Sequence, residues 1–195
     1  MKTRGIRNNN PLNIRHSADH WQGAAEEQTD KAFVQFKTLA YGYRAAWKVL
    51  ESYFKTFRNE RKPYTVRNII ARWAPAQEND TEAYIRSVVN LAGLGGNENM
   101  PRPLRYYNYN ELEKMVRLIA AMTCVENGIS YKQVDTDAIW LGYDLAFPGR
   151  RKETRTSIPS GSPVDVSPFY VAGQPVGSSP DWDEYWDWSP EAFGA

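Results

Sequence analysis

The chain has 195 residues, 42% hydrophobic and 24% charged, with a formal net charge of +1. Those numbers describe one globular domain with a core large enough to fold without staples. The single cysteine, Cys124, rules out an intramolecular disulfide, and no apolar run reaches the length of a membrane span.

Residues 4–15, RGIRNNNPLNIR, read as a polar loop. Three consecutive Asn before Pro11 favour turns and left-handed backbone, and Pro11 holds Asn10 extended. Lys2, Arg4, Arg7 and Arg15 make the loop basic. Its Asn side chains would either tie it down or present donors and acceptors to hydroxyl and acetamido groups, which makes Asn8, Asn10 and Asn13 candidate ligand contacts. Residues 21–36 offer two short extended runs on either side of Gln28-Thr29-Asp30-Lys31, with Phe33, Val34 and Phe36 as strand-type residues. The pattern predicts a small hairpin whose turn carries Glu26, Glu27 and Asp30.

Five helices follow. Residues 41–57 carry an apolar face led by Tyr43, Ala46, Trp47, Leu50 and Phe54. Thr65 opens a helix that Pro75 stops. Asn79 with Glu82 predicts a capping box for a helix burying Tyr84, Ile85, Val88 and Val89 and ending at Gly93. Residues 110–128, NELEKMVRLIAAMTCVENG, have both ends marked: Asn110 as cap with Glu113 three residues on, and Gly128 as the left-handed stop. Leu112, Met115, Val116, Ile119, Met122 and Thr123 form the stripe. Asp135 or Thr136 starts the last helix, packing Ile139, Trp140, Tyr143 and Leu145. These elements account for residues 1–147. Six of the twelve prolines lie beyond Pro148, so residues 148–195 read as a linker or disordered tail ending in the acidic-aromatic DWDEYWDWSPEAF. Such a segment suits docking on a partner.

The residue out of place is Glu126. An acid in the last turn faces the negative end of the helix dipole, where a cation is favoured. It is either a solvated side chain at a frayed end or a carboxylic acid set up to protonate a leaving oxygen, the task of a glycosidase acid. Asp30, with Glu27 behind it, is the candidate second carboxylate. Trp21, Trp73 and Tyr84 are candidates for stacking on or orienting a sugar, although such residues are more often core. A metal site is not expected, because His16 and His20 flank Asp19 outside any helix and lack a fourth ligand. No cofactor motif is present. Arg58, Arg61, Lys62, Arg67 and Arg72, interleaved with Phe57, Tyr64 and Trp73, offer phosphate contacts and base stacking. A sequence pI of about 7.8 argues against a dedicated nucleic-acid binder.

RGIRNNNPLNIR, followed by WQG, QTD, FVQF, YGYRA, RWAP, ENDTEAYI and VENG, resembles phage and prophage proteins that open RGIRNNNPGNIR. These are virion structural proteins or lysozyme-like cell-wall hydrolases. The likeness covers residues 4 to about 145. It departs at Leu12, where the family has Gly, and Leu tolerates a positive φ poorly. Glu126-Asn127-Gly128 also looks like the helix-end acid motif of bacterial glucosaminidases and lytic transglycosylases, but here the Asn-rich loop and hairpin come before it. The resemblance implies a mainly α (α+β), lysozyme-like domain with a hairpin lobe, circularly permuted, with the end of the Glu126 helix against residues 8–14. It implies cleavage of peptidoglycan glycan strands by Glu126, with Asn10, Asn13 and Tyr84 orienting substrate. The alternative it implies is a non-catalytic virion protein whose 181–193 segment docks on other virion proteins. MKTRGIRNNNP has no apolar stretch behind its charges, so synthesis in the host cytoplasm without a signal peptide is expected, followed by virion association or release to the wall.

Overall fold

A computed structural model describes residues 2–103 and 109–149, so the acidic-aromatic segment lies outside the described residues. The described chain is mainly helical: α1 (Arg4–Arg7), α2 (Leu39–Asn59), α3 (Val66–Trp73), α4 (Thr81–Ala92), α5 (Tyr109–Asn127), a 3-10 turn (Tyr131–Gln133) and α6 (Thr136–Ala146).

Local chemistry explains most of the boundaries. The loop expected over residues 4–15 opens with one helical turn, closed by Arg7 N donating to Thr3 O at 2.9 Å and Asn8 N to Arg4 O at 3.0 Å. It stops where Asn9 turns left-handed at φ 51°. For α4 the cap is Asp80, not Asn79: Asp80 accepts from Ala83 N at 2.9 Å, while the Asn79 amide donates back to Pro75 O at 3.3 Å. Asn110 lies within the first turn of α5 rather than in front of it. The other end follows the expectation. Gly128 has φ 60° and Ile129 N donates to Cys124 O at 3.3 Å, a bond of the Schellman type.

The hairpin expected over residues 21–36 contains no strand. Pairing there is limited to single bridges, Arg15 with Phe33 and Ala24 with Phe36. Side chains hold the turn instead: Gln35 Oε1 accepts from Thr29 N at 2.5 Å and Asp30 N at 3.0 Å, and Gln28 Nε2 donates to Ala25 O at 2.9 Å.

The core is built round α5, in which Leu118, Ile119, Ala120, Ala121 and Met122 are all fully buried. Burial therefore runs round the whole helix, beyond the single stripe the sequence indicates, because α1, α4, α6 and the 3-10 turn enclose it. Leu12 is 1% exposed and joins that core. The positive φ angles of its loop fall on Asn9 and Asn13, so Leu at position 12 carries no backbone strain. α2 packs along α6, and Trp47 Nε1 donates to Ile139 O at 3.0 Å between them. A buried ion pair, Arg102 to Glu51 at 2.6 Å, fastens the chain after Met100 to α2.

α2 and α6 approach closely at Gly142, where a Cβ would lie 2.7 Å from Tyr43 Cβ and 2.9 Å from Arg44 N. Since one neighbour is backbone, Gly142→Ala must push the helices apart. An overpacking cost of roughly 1–3 kcal/mol outweighs a helix-propensity gain of at most about 1 kcal/mol. The variant should unfold at lower urea with an unchanged m-value.

Candidate functional site

The site starts from Asn127, the last residue of α5 and 6% exposed. Its Nδ2 donates to Thr123 O at 2.9 Å, within the helix, and to Pro11 O at 2.7 Å, in the Asn-rich loop. Its Oδ1 accepts from Thr3 Oγ1 at 2.7 Å. Gly5 is needed beside it, because a Cβ there would sit 2.6 Å from Asn127 Oδ1 and 2.9 Å from Asn13 Oδ1. The end of α5 thus lies against the loop, and the preceding side chain, Glu126, is held at the seam.

Three elements converge on that carboxylate. Asn13, left-handed at φ 50°, donates from Nδ2 to Oε2 at 2.8 Å. Trp73, the last residue of α3, donates from Nε1 to Oε1 at 3.1 Å. Tyr84 of α4 donates its hydroxyl to the same oxygen at 2.9 Å. All three donors are uncharged, and among the described residues no cation pairs with Glu126. Burial, and then the charge and hydrogen bond of Glu126, push the Tyr84 hydroxyl well above its ordinary range, so it remains a donor. Glu126, Trp73 and Asn13 are each half-buried, and Tyr84 is buried. Behind it, the Trp73 ring meets Tyr53 edge-on at 6.3 Å. The adjacent Cys124 is a buried thiol pushed up to about 11 by burial, hence inert.

The remaining expected residues lie elsewhere. Asp30 accepts from Arg4 Nε at 2.6 Å, Arg4 Nη2 at 2.5 Å, Asn8 Nδ2 at 2.7 Å, Ala32 N at 3.0 Å and Phe33 N at 3.1 Å. Arg4 above all, then Asn8 and the two backbone N–H groups, hold it far below the usual carboxylate range. Asn10 is fully buried and its amide is spent on Ile14 O at 2.9 Å, Val34 O at 2.8 Å and Ile14 N at 2.9 Å. Asn8 and Asn10 therefore build the loop instead of facing a ligand. Glu27 is exposed on the lobe, and Trp21 packs half-buried against the core. His16 Nε2 bonds Asp30 O at 2.9 Å, and no metal-binding group occurs among the described residues. In the basic patch, Arg67 pairs with Glu82 at 2.5 Å and Arg72 lies 4.9 Å over the Tyr53 ring. Sequence reasoning missed Thr3 and did not single out Asn127 as the anchor; the one signal was an Asn between Glu126 and the helix-ending Gly128.

Asp30 has a depressed folded-state pKa, so its contribution to stability is complete above its unfolded value near 4 and is lost as pH falls towards the folded one. Asp30→Asn should lower Tm at pH 6. The gap to wild type should narrow steadily below about pH 4 in thermal melts taken down to pH 2.

No protein-family model matches the chain. It is 38% identical over 149 residues to protein P5 of Pseudoalteromonas phage PM2, an alignment covering 75% of this chain and 83% of that protein. The chain belongs to the family of that phage protein.

Proposed function

We propose that the protein cleaves the glycan strands of peptidoglycan, with Glu126 as the proton donor to the glycosidic oxygen. The observation that carries this reading is the carboxyl group of the half-buried Glu126, held from three sides by the neutral donors Asn13, Trp73 and Tyr84. Positioning an acid to within hydrogen-bond reach of a leaving oxygen is the geometric requirement of general-acid catalysis. The half-buried Trp73 indole beside the carboxylate also supplies an apolar face of the kind a sugar ring packs on.

Asp30 is saturated by five hydrogen bonds, so in this reading it fastens the loop that carries Asn13. That favours a single-acid lytic transglycosylase over a two-carboxylate hydrolase. Glu126 protonates the bridging oxygen as the bond to the anomeric carbon breaks. The resulting carboxylate then takes the proton from the sugar's own primary hydroxyl as its oxygen closes on that carbon. Glu27 is the acid left to assist a water in a hydrolytic version. Kinship with a phage protein suits a phage-encoded wall-cleaving enzyme. It suits equally a second reading, a virion structural protein that keeps the fold without the chemistry.

Clearing of isolated cell-wall sacculi tests the reading. Glu126→Gln should reduce the rate by about 10²- to 10⁴-fold with little change in Tm. Tyr84→Phe, which removes one hydrogen bond worth about 1.4 kcal/mol or less, should reduce it roughly tenfold. Full activity in the Gln variant would remove Glu126 from the mechanism, and a folded wild type that clears nothing would favour the structural role.

A further inference from the structure

A cavity of about 370 Å³ opens beside Asn127. Thr3 and Thr123, both hydrogen-bonded to Asn127, line it, whereas Glu126, Asn13, Trp73 and Tyr84 do not. Its size is at the low end of the roughly 300–1,000 Å³ typical of small-molecule pockets. Ile6, Leu39, Ile129 and Val134 supply apolar wall. The fully buried Tyr43 and Thr123 lie deepest. Thr123 Oγ1 donates to Ile119 O at 2.9 Å, so Tyr43 is the donor in the 3.3 Å bond between the two hydroxyls.

The exposed residues of the same cavity carry opposite charges. Lys2 and Asp135 both line it, yet they form no ion pair with each other or with another described residue. One Asp135 oxygen accepts from Ala138 N at 2.9 Å, which leaves the second free of that cap. Its charge reaches the interior: burial above all, with Asp135 in addition, holds the proton on Tyr43. Next to it, Gln133 spends its carbonyl oxygen on Ser130 N and Ser130 Oγ, both at 2.9 Å, and keeps its NH₂ as a donor. A purely anionic ligand would meet Asp135, and a purely cationic one Lys2. A molecule carrying both charges satisfies the two together.

We propose that this cavity binds a small zwitterion with an alkyl side chain, an amino acid or dipeptide. Its ammonium pairs with Asp135 and its carboxylate with Lys2 and the Gln133 amide, while the side chain packs on Ile6, Leu39, Ile129 and Val134. The site is separate from Glu126 and stands whether or not that residue is catalytic.

Titration of the ¹⁵N-labelled full chain with leucyl-alanine, followed by amide chemical shifts, tests this. The L,L and D,D forms separate a protein-derived peptide from a wall-derived one. Saturable shifts are expected at Ile6, Thr123 and Gln133, with a Kd of about 1 mM for a probe of this size. Acetylating the amine or amidating the carboxylate should each weaken binding roughly two- to fivefold, the range of an exposed ion pair. Asp135→Asn, which keeps the helix cap, and Lys2→Gln should weaken the unmodified probe equally. Asp135→Asn should leave the affinity for the acetylated probe unchanged, and Lys2→Gln that for the amidated probe. No saturation of either form by about 50 mM, shifts confined to residues outside the cavity, or equal affinity for all three probes would overturn the proposal. So would shifts showing residues 150–195 displaced from the cavity, since its occupant would then be the chain itself.

Discussion

A single buried amide sets the geometry around Glu126. Asn127 joins the terminal turn of α5 to Pro11 on one side and Thr3 on the other, and with both partners it is almost wholly shielded from water. Each such bond contributes only about 1 kcal/mol net, but an orphaned buried partner costs about 1–3 kcal/mol. The loop and the helix end are therefore positioned together or not at all. Because Glu126 and Asn13 sit one residue and two residues from those ties, their 2.8 Å contact is a consequence of the same lock.

Two carboxylates show how differently one fold treats the same group. Asp30 faces a guanidinium, an amide and two backbone N–H groups, an environment that fixes its charge and turns it into a structural rivet. Glu126 meets two side chains with aromatic bodies and one amide, none of them charged. One carboxylate is held by a charge, the other by neutral donors alone.

The helical frame was legible because it rests on local rules: apolar spacing, cap residues and Gly128 at φ 60°. What could not be read was where side chains spend their hydrogen bonds across long sequence separations. Asn8 and Asn10 look like ligand-facing amides in a run of three Asn, yet Asn10 is fully buried on its own loop and Asn8 is taken by Asp30. Phe33, Val34 and Phe36 suggest a strand, but the reciprocal Gln28–Gln35 contacts make a side-chain-braced lobe with single bridges. Trp73 and Tyr84 belong to different helices from Glu126, and only the packing of α3 on α4 and α4 on α5 brings them to it. Glu126 itself was visible as an acid at the wrong end of a helix.

The proposed reaction is the cutting of sugar chains with one acid, Glu126. The most direct measurement is mass spectrometry of whatever the wild-type protein releases from purified peptidoglycan. Soluble fragments ending in anhydro sugars would agree with it. Sacculi that stay intact, with no fragment released at any pH at which the protein is folded, would contradict it.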